Sequence, residues 1–279
     1  MKRIIILGST GSIGTQALDI VRQHRDKFKV VGLSAHHNVA LLHQQVKEFT
    51  PEAICVTDEK ADLSFDFACT NFKGEQGLKQ LAALPCDLLI NSLVGSAGLI
   101  PTLEAIKQGS TIGLANKETL VLAGELVMKA ARENNVAIIP IDSEHSALYQ
   151  SLKSGKNEEI RSLLLTMGKG KIALMSSDQL ANVSMKDIFS RPAWNMGVKI
   201  TIDSATCMNK TFEIIEARWL FDVAPEKIKV VVHPEYICHS LVEFHDGSII
   251  TELGTPDMRR YTQYALFYPH RERATISSF

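Results

Sequence analysis

The sequence has no large excess of charge of either sign. Its 30 lysines and arginines stand against 31 aspartates and glutamates, which gives a formal net charge of -1 at pH 7. Proteins that bind nucleic acid or anionic membranes usually present an excess of basic residues, so we expect neither partner. No apolar run is long enough to span a bilayer. The run near the N-terminus stops at Gly8, too soon for a signal peptide, and we interpret it as a strand.

The sequence is also poor in cysteine. Its five cysteines are scattered, odd in number and form no Cys-x-x-Cys pair. This distribution argues against a disulfide framework and a zinc cluster, and it indicates reduced thiols in a cytoplasmic protein. Hydrophobic residues make up 45% and charged residues 22% of the 279 positions, a balance typical of a soluble globular protein.

Short apolar runs alternate with helical patterns through the first half of the chain. This alternation predicts an α/β fold over residues 1–145, with a Rossmann-like, doubly wound parallel sheet that helices cover on both faces. The pattern changes near residue 145, and an α+β domain is predicted over residues 146–279. In this second half the sequence predicts a helix at 210–220 and strands at 162–166, 199–202, 229–232, 240–244 and 248–251.

Three glycines, Gly8, Gly11 and Gly14, follow the first predicted strand and open a helix. Glycine permits a tight turn and a close approach of the backbone to a pyrophosphate. The start of a helix offers free N–H groups to the same anion. The succession of strand, glycine loop and helix therefore predicts nucleotide binding, the alternative being a tight turn without a ligand.

The end of the second predicted strand discriminates between cofactors. In NAD-binding folds an acidic residue at this place holds the ribose 2′-hydroxyl. Here the sequence reads Ser34-Ala35-His36-His37-Asn38 and has no carboxylate. Polar groups without an acid favour the 2′-phosphate of NADP. A solvated loop explains the two histidines equally well, and both interpretations stay open.

Two carboxylates, Asp142 and Glu144, follow a predicted strand at 136–140. Residues two apart in an extended segment point the same way, and like charges so close favour a cation between them. Oxygen ligands suit Mg²⁺ or Mn²⁺. The alternative is that Asp142 or Ser143 caps the following helix.

A second polar cluster lies at the start of the helix predicted at 210–220. Asn209 and Glu213 are four apart and share a helix face, and Lys210 follows Asn209 directly. The cluster suits an anion, and Glu213 is a candidate third carboxylate. The alternative is a capped surface helix with an i,i+4 pair. Lys117, between two polar neighbours after a strand, is similarly ambiguous.

Several longer segments occur in a characteristic order: GSTGSIG, VGSAGLIPTL, LANKETLV, PIDSEHSALYQSL, KITIDSATCMNK, VHPEYICHSLVEFHDGS and LGTPDMR. On these segments the chain resembles the 1-deoxy-D-xylulose 5-phosphate reductoisomerase family from residue 1 to about residue 268. The resemblance implies an NADPH-dependent enzyme of non-mevalonate isoprenoid biosynthesis. It would rearrange its sugar phosphate substrate and reduce it to 2-C-methyl-D-erythritol 4-phosphate. The resemblance also implies Mg²⁺ or Mn²⁺, and a homodimer whose second domain carries catalysis and dimerisation.

The resemblance implies roles for individual residues as well. The metal would be held by Asp142, Glu144 and Glu213, and Lys117 would join them in catalysis. The substrate would contact Glu144, Glu213, Ser143, Gly168, Arg191, Ser204, Asn209 and Lys210. NADPH would contact Gly8, Thr10, Gly11, Ser12, Ile13, His36, His37, Asn38, Asn116, Glu118 and Gly197.

The chain departs from the family pattern at the substrate loops. Gly168 stands where the family has a phosphate-binding serine, and Arg191 replaces the histidine that begins the family's lid segment. Lys169 or Lys171 could supply charge in place of the serine, whereas arginine cannot shuttle a proton near neutral pH. The family's C-terminal helical domain is expected to be absent. These departures leave a second hypothesis open, an impaired, truncated member that binds NADPH without turnover.

Overall fold

The computed structural model describes residues 1–61, 69–168, 172, 175–189, 197–274 and 276. The chain forms two compact units. The first consists of Met1–Asp142 together with Met258–Ile276, and the second is built from Ser143–Asp257. None of the helices in the described part of the chain is long and apolar enough to cross a membrane.

Seven strands form the sheet of the first unit: β1 (Lys2–Leu7), β2 (Phe28–Ala35), β3 (Ala53–Val56), β4 (Thr70–Lys73), β5 (Leu88–Asn91), β6 (Thr111–Leu114) and β7 (Ile138–Pro140). All pair in parallel, in the order β4-β3-β2-β1-β5-β6-β7. The side chains from Ile4 to Leu7 are fully buried, as expected for a strand covered on both faces. Strand β4 was not predicted, because it is a largely exposed edge strand without an apolar run.

Five helices connect these strands: α1 (Ser12–Gln23), α2 (Val39–Phe49), α3 (Gly74–Ala82), α4 (Leu99–Lys107) and α5 (Glu118–Glu133). Helix α1 buries Ala17, Leu18 and Val21. The predicted Rossmann-like parallel sheet is therefore confirmed. Because β1 lies between β2 and β5, the strand order reverses at β1, and sheets of this kind bind ligands beside the carboxyl ends of the strands at such a point.

The second unit has a mixed sheet in which the strands are β8 (Ile160–Met167), β9 (Ile228–Val232), β10 (Cys238–Phe244) and β11 (Ile249–Leu253). Their order is β11-β10-β8-β9, and β8 pairs antiparallel with β10 but parallel with β9. The helices are α6 (Ser143–Ser151), α7 (Ser177–Ala181), α8 (Met185–Phe189), α9 (Val198–Ala205) and α10 (Met208–Phe221). Leu148 of α6, Phe221 of α10 and Val242 of β10 belong to one buried core.

The prediction of a strand at 199–202 is wrong, because these residues lie in α9. The alternation of Val198, Ile200 and Ile202 with polar residues imitates a strand pattern. Local contacts favour the helix instead. Lys199 Nζ pairs with Asp203 Oδ2 at 2.6 Å, an i,i+4 contact, and the Thr201 hydroxyl donates to the carbonyl oxygen of Gly197 at 3.0 Å.

The last helix, α11 (Met258–Phe267), belongs to the first unit. It buries Tyr261, Ala265 and Leu266, and it packs against α1 and β6. Lys2 Nζ donates to the carbonyl oxygens of Leu266 and Tyr268, each at 2.9 Å. The domain boundary expected at residue 145 leaves this helix in the second domain, whereas its packing groups it with the seven-stranded parallel sheet.

Candidate active site

The glycine loop joins β1 to α1 at the point where the strand order reverses. Gly8 has a φ of +76°, and a Cβ atom there would lie 2.8 Å from the carbonyl oxygen of Ser92. A Cβ atom on Gly14 would collide with the carbonyl oxygen of Gly8 and lie 2.5 Å from the Cα atom of Ser9. Both positions therefore require glycine, one for its backbone angle and the other for close packing.

The start of α1 is open to an anion. Gly11 is the residue before the helix, and no side chain in the described part of the chain caps it. Gly11 and Ser12 are exposed, and Thr10 and Ile13 are half-buried. The first backbone N–H groups of a helix carry partial positive charge, so this end suits a phosphate.

A buried polar network that was not predicted from the sequence holds the glycine loop in place. The Ser9 hydroxyl donates to Gln45 Oε1 at 2.7 Å, and Gln45 Nε2 donates to the carbonyl oxygen of Ser9 at 2.9 Å. The N–H of Gly8 donates to the Ser34 hydroxyl at 2.9 Å. Gln45 lies in α2. The periodicity of the sequence shows that a polar residue stands on this helix, but it does not show that its hydrogen-bond partner is Ser9.

The polar segment after β2 is exposed. His36 Nδ1 lies 2.8 Å from the Thr57 hydroxyl, and His37 Nδ1 lies 3.4 Å from Asp58 Oδ2. Asn38 caps α2 by accepting from the N–H of Leu41 at 3.1 Å. A carboxylate does therefore lie near this segment, but it comes from the end of β3 and not from β2.

Asn116 and Lys117 occupy buried positions between β6 and α5. Asn116 Nδ2 donates to the carbonyl oxygens of Leu93 and Gly95 at 3.0 Å and to Glu118 Oε2 at 3.1 Å. These contacts tie the loop after β5 to the start of α5. Lys117 Nζ forms an ion pair with Asp142 Oδ2, and the side chain of Lys117 is only 6% exposed.

In the second unit, Lys210 connects two carboxylates. Its Nζ donates to Glu144 Oε1 at 2.9 Å, to the carbonyl oxygen of Thr166 at 2.5 Å and to Glu213 Oε2. Lys210 and Glu213 are buried. Burial by itself lowers the pKa of Lys210, but the charges of Glu144 and Glu213 outweigh it, and the pKa of Lys210 lies well above its ordinary value.

Hydrogen bonds orient both carboxylates further. The Ser143 hydroxyl donates to Glu144 Oε2 at 2.5 Å, and Asn209 Nδ2 donates to Glu213 Oε1 at 2.5 Å. Asn209 and Glu213 thus form the i,i+4 pair expected from their spacing. The alternative of a surface helix is wrong for Glu213, which is 1% exposed.

The two carboxylates suit a divalent cation. Oxygen atoms of Glu144 and Glu213 lie within 4.8 Å of each other, and Lys210 at present balances their charge. Two negative groups this close, one of them buried, require positive charge, and hard carboxylate oxygens are the ligands that Mg²⁺ and Mn²⁺ prefer. The donor set therefore fits the expected metal.

His145 was missed by the sequence reading. Its Nε2 donates to the carbonyl oxygen of Glu213 at 2.8 Å, and its Nδ1 lies 3.5 Å from Glu216 Oε2. Both His145 and Glu216 are buried. The contact joins α6, which carries Glu144, to α10, which carries Glu213, so His145 helps to fix the spacing of the two carboxylates.

A small cavity opens beside these groups within the second unit. It is lined by Ser143, Glu144, Thr166, Met167, Gly168, His233, Tyr236, Cys238 and His239. Ser204 lies half-buried in α9, and Gly197 is the exposed residue before that helix. The predictions for Arg191, Lys169 and Lys171 fall outside the described residues.

Comparisons with known proteins add to this geometry. The family model described as 1-deoxy-D-xylulose 5-phosphate reductoisomerase matches residues 4–124, and that of its C-terminal domain matches residues 138–221. The chain is 50% identical over 276 residues to the 1-deoxy-D-xylulose 5-phosphate reductoisomerase of Caldanaerobacter subterraneus subsp. tengcongensis, covering 98% of this chain and 72% of the relative.

Two solved structures are similar over the whole chain. A crystal structure of DOX-P reductoisomerase in complex with NADPH, fosmidomycin and magnesium has a TM-score of 0.94 and 40% identity, over 100% of this chain and 72% of that one. The reductoisomerase from Zymomonas mobilis in complex with NADPH has a TM-score of 0.92 and 35% identity, over 100% of this chain and 73% of that one.

Proposed function

Because the chain belongs to the 1-deoxy-D-xylulose 5-phosphate reductoisomerase family, we propose that it converts this sugar phosphate into 2-C-methyl-D-erythritol 4-phosphate. The observation that carries the proposal is the pair of half-buried Glu144 and buried Glu213, which Lys210 bridges beside a cavity that Glu144 lines. A hydride-transferring enzyme without a metal would have no need of two carboxylates so close together there.

The metal would be held by Asp142, Glu144 and Glu213. Asp142 directly precedes the helix that carries Glu144, and Lys117 is its partner in an ion pair. A bound Mg²⁺ or Mn²⁺ supplies Lewis acidity to the carbonyl and neighbouring hydroxyl oxygens of the substrate. Ser143 and Asn209 orient the carboxylates, because each donates to one carboxylate oxygen and leaves the other for a different partner.

Lys210 and Lys117 provide the positive charge of the site. An ammonium group that contacts carboxylates in the resting protein is placed to bind substrate oxygens or phosphate once a cation takes over the carboxylates. The lining of the cavity, including Thr166 and His239, screens this place from bulk water, which strengthens each charged contact.

The cofactor would lie along the first unit. NADPH supplies the hydride when bound. Its pyrophosphate would sit at the open start of α1, against Gly11 and Ser12, and its 2′-phosphate would face His36 and Asn38 after β2. The absence of a carboxylate on β2 itself and the exposed imidazoles support NADPH over NADH.

We expect the purified protein to oxidise NADPH when 1-deoxy-D-xylulose 5-phosphate and Mg²⁺ or Mn²⁺ are present together. The loss of NADPH absorbance measures the reaction, and chelation of the metal should stop it, since two carboxylates would then lose their substrate-binding cation. Folded protein that binds NADPH but shows no turnover with either metal would contradict the proposal and support the impaired alternative.

The protein would work as a homodimer through the outer face of its four-stranded sheet. Leu163, Val242 and Phe244 point to the core, so the alternate residues Leu164, Val231, Leu241 and Ile249 share the other face. Ile249 is 52% and Val231 38% exposed. Exposed apolar residues gathered on one sheet face mark an interface, here with Lys229 and Glu243 among them, and a second copy is the partner that the family resemblance implies.

Ile249→Glu should convert the dimer into a monomer, because a charge would then have to be desolvated in an apolar interface. Sedimentation velocity measures the change. Leu122→Glu is the matched control, because Leu122 is an apolar residue of the first unit with 57% exposure. A dimer that survives Ile249→Glu, or that Leu122→Glu also abolishes, would contradict this interface.

The location of the protein would be the cytoplasm. All five cysteines are free thiols in the structure. Burial raises the pKa of Cys55 to about 12, and it also raises the pKa of Cys86. Thiols of this kind are unreactive and suit a reducing compartment.

A further inference from the structure

Gly168 and Tyr236 compete for one volume in the cavity of the second unit. A Cβ atom built on Gly168 would fall inside the van der Waals radii of Tyr236 Oη, Cζ and Cε1. The tip of the tyrosine ring therefore stands where any side chain at position 168 would begin. Glycine at 168 is what makes room for the tyrosine hydroxyl.

The backbone holds Tyr236 in this place at a conformational cost. Its φ is +54°, in the left-handed region that residues with a Cβ atom rarely occupy. Such conformations persist where the surroundings impose them, and they concentrate at functional sites. The backbone conformation of the turn therefore sets the direction of the Tyr236 side chain, and packing holds the side chain in addition.

His233 builds that turn. Its N–H donates to the carbonyl oxygen of Met167 at 2.7 Å, which ties the segment to the end of β8 beside Gly168. Its Nε2 accepts from the N–H groups of Ile237 at 3.3 Å and Cys238 at 3.1 Å. These bonds on both sides of Tyr236 fix the tyrosine relative to the cavity wall.

The hydroxyl of Tyr236 is available to a ligand. Among the described residues it makes no hydrogen bond, although the side chain is only partly exposed and lines the cavity. A phenol without a protein partner in a polar cavity is a donor for an anionic oxygen. Ser143 and Glu144 line the same cavity.

We propose that Tyr236 is a substrate-positioning residue whose hydroxyl donates to the phosphate of the sugar phosphate, in the place that a side chain at position 168 would otherwise fill. The inference rests on the proposed function for the identity of the substrate. It also accounts for Gly168. The hydroxyl that a side chain at position 168 would bring from the end of β8 is supplied by Tyr236, from the turn before β10.

The test compares Tyr236→Phe with the unmodified protein by calorimetric titration, because this variant keeps the ring and removes only the hydroxyl. We expect the affinity for 1-deoxy-D-xylulose 5-phosphate to fall about tenfold or more, and the affinity for unphosphorylated 1-deoxy-D-xylulose and for NADPH to stay unchanged. Equal affinity for the phosphorylated sugar in both proteins would overturn the proposal, since a merely space-filling ring does not need its hydroxyl.

Variants at position 168 give a second measurement. Gly168→Ser alone should weaken binding of the sugar phosphate, since its side chain collides with Tyr236. Combined with Tyr236→Ala it should recover at least part of the affinity that either single change loses. Additive losses in this cycle would count against the exchange. Titration does not need turnover, so an inactive parent protein whose affinity still depends on Tyr236 would reject the proposed function and retain this inference.

Discussion

Replacing Lys210 with methionine should remove both catalysis and much of the stability of the metal-free protein. Lys210 is the cation that balances the half-buried carboxylate of Glu144 and the buried carboxylate of Glu213. Breaking a buried ion pair by removing one partner costs about 3–5 kcal/mol, because the remaining charge stays uncompensated. Turnover should fall about a hundredfold or more, the scale for removing one positioned donor from an active site.

The metal dependence of stability distinguishes this explanation from simple loss of packing. In Lys210→Met the two carboxylates have no cation, so Mn²⁺ should raise the midpoint of thermal unfolding more in the variant than in the unmodified protein. Lys227→Met is the control, because Lys227 Nζ donates to the carbonyl oxygen of Ile160 at 2.7 Å and balances no buried carboxylate among the described residues. A Lys210→Met protein that is as stable as Lys227→Met, with no added response to Mn²⁺, would refute the role of Lys210.

Gly14→Ala should abolish NADPH binding at concentrations that saturate the unmodified protein. The added Cβ atom meets backbone atoms of Gly8 and Ser9, and no side-chain rotation relieves that collision. The start of α1 must then move away from the loop, and the N–H groups that would hold the pyrophosphate lose their alignment. We expect a loss of affinity of about a hundredfold, measured by the change of NADPH fluorescence on binding.

Gly11→Ala provides a graded comparison in the same loop. A Cβ atom there meets only the carbonyl oxygen of Gly8, at 3.3 Å, so a shift of a few tenths of an ångström accommodates it. NADPH affinity should fall clearly less than in Gly14→Ala. If both variants bind NADPH as the parent does, the loop is a structural turn and the cofactor lies elsewhere.

Local sequence rules were sufficient for the glycine loop. Gly8 and Gly14 are required by a backbone angle and by a close approach, and both requirements are set within fifteen residues of chain. The sequence also showed that Glu213 and Asn209 share a helix face. It did not show that this face is buried, because burial depends on the sheet against which α10 packs.

The elements that were missed depend on contacts between distant segments. Tyr236 and Gly168 come together only after β8 and the turn before β10 have formed, and no spacing rule relates them. His145 and Glu216 likewise meet across two helices. The wrong strand prediction at 199–202 has another cause. The β-branched residues there have a high strand propensity, but local hydrogen bonds stabilise a helix instead.

The return of α11 to the first unit has a consequence for the order of folding. The contacts of Lys2 with Leu266 and Tyr268 join residues more than 260 positions apart, whereas the described residues of the second unit all lie in the segment 143–257. During synthesis, all the strands and helices of the segment 143–257 are available to pack against one another as soon as residue 257 has left the ribosome. The nucleotide-binding sheet must wait, with the surface that receives α11 uncovered, until the end of that helix has been made. The unit whose synthesis starts first is therefore completed only after the segment 143–257 has been made.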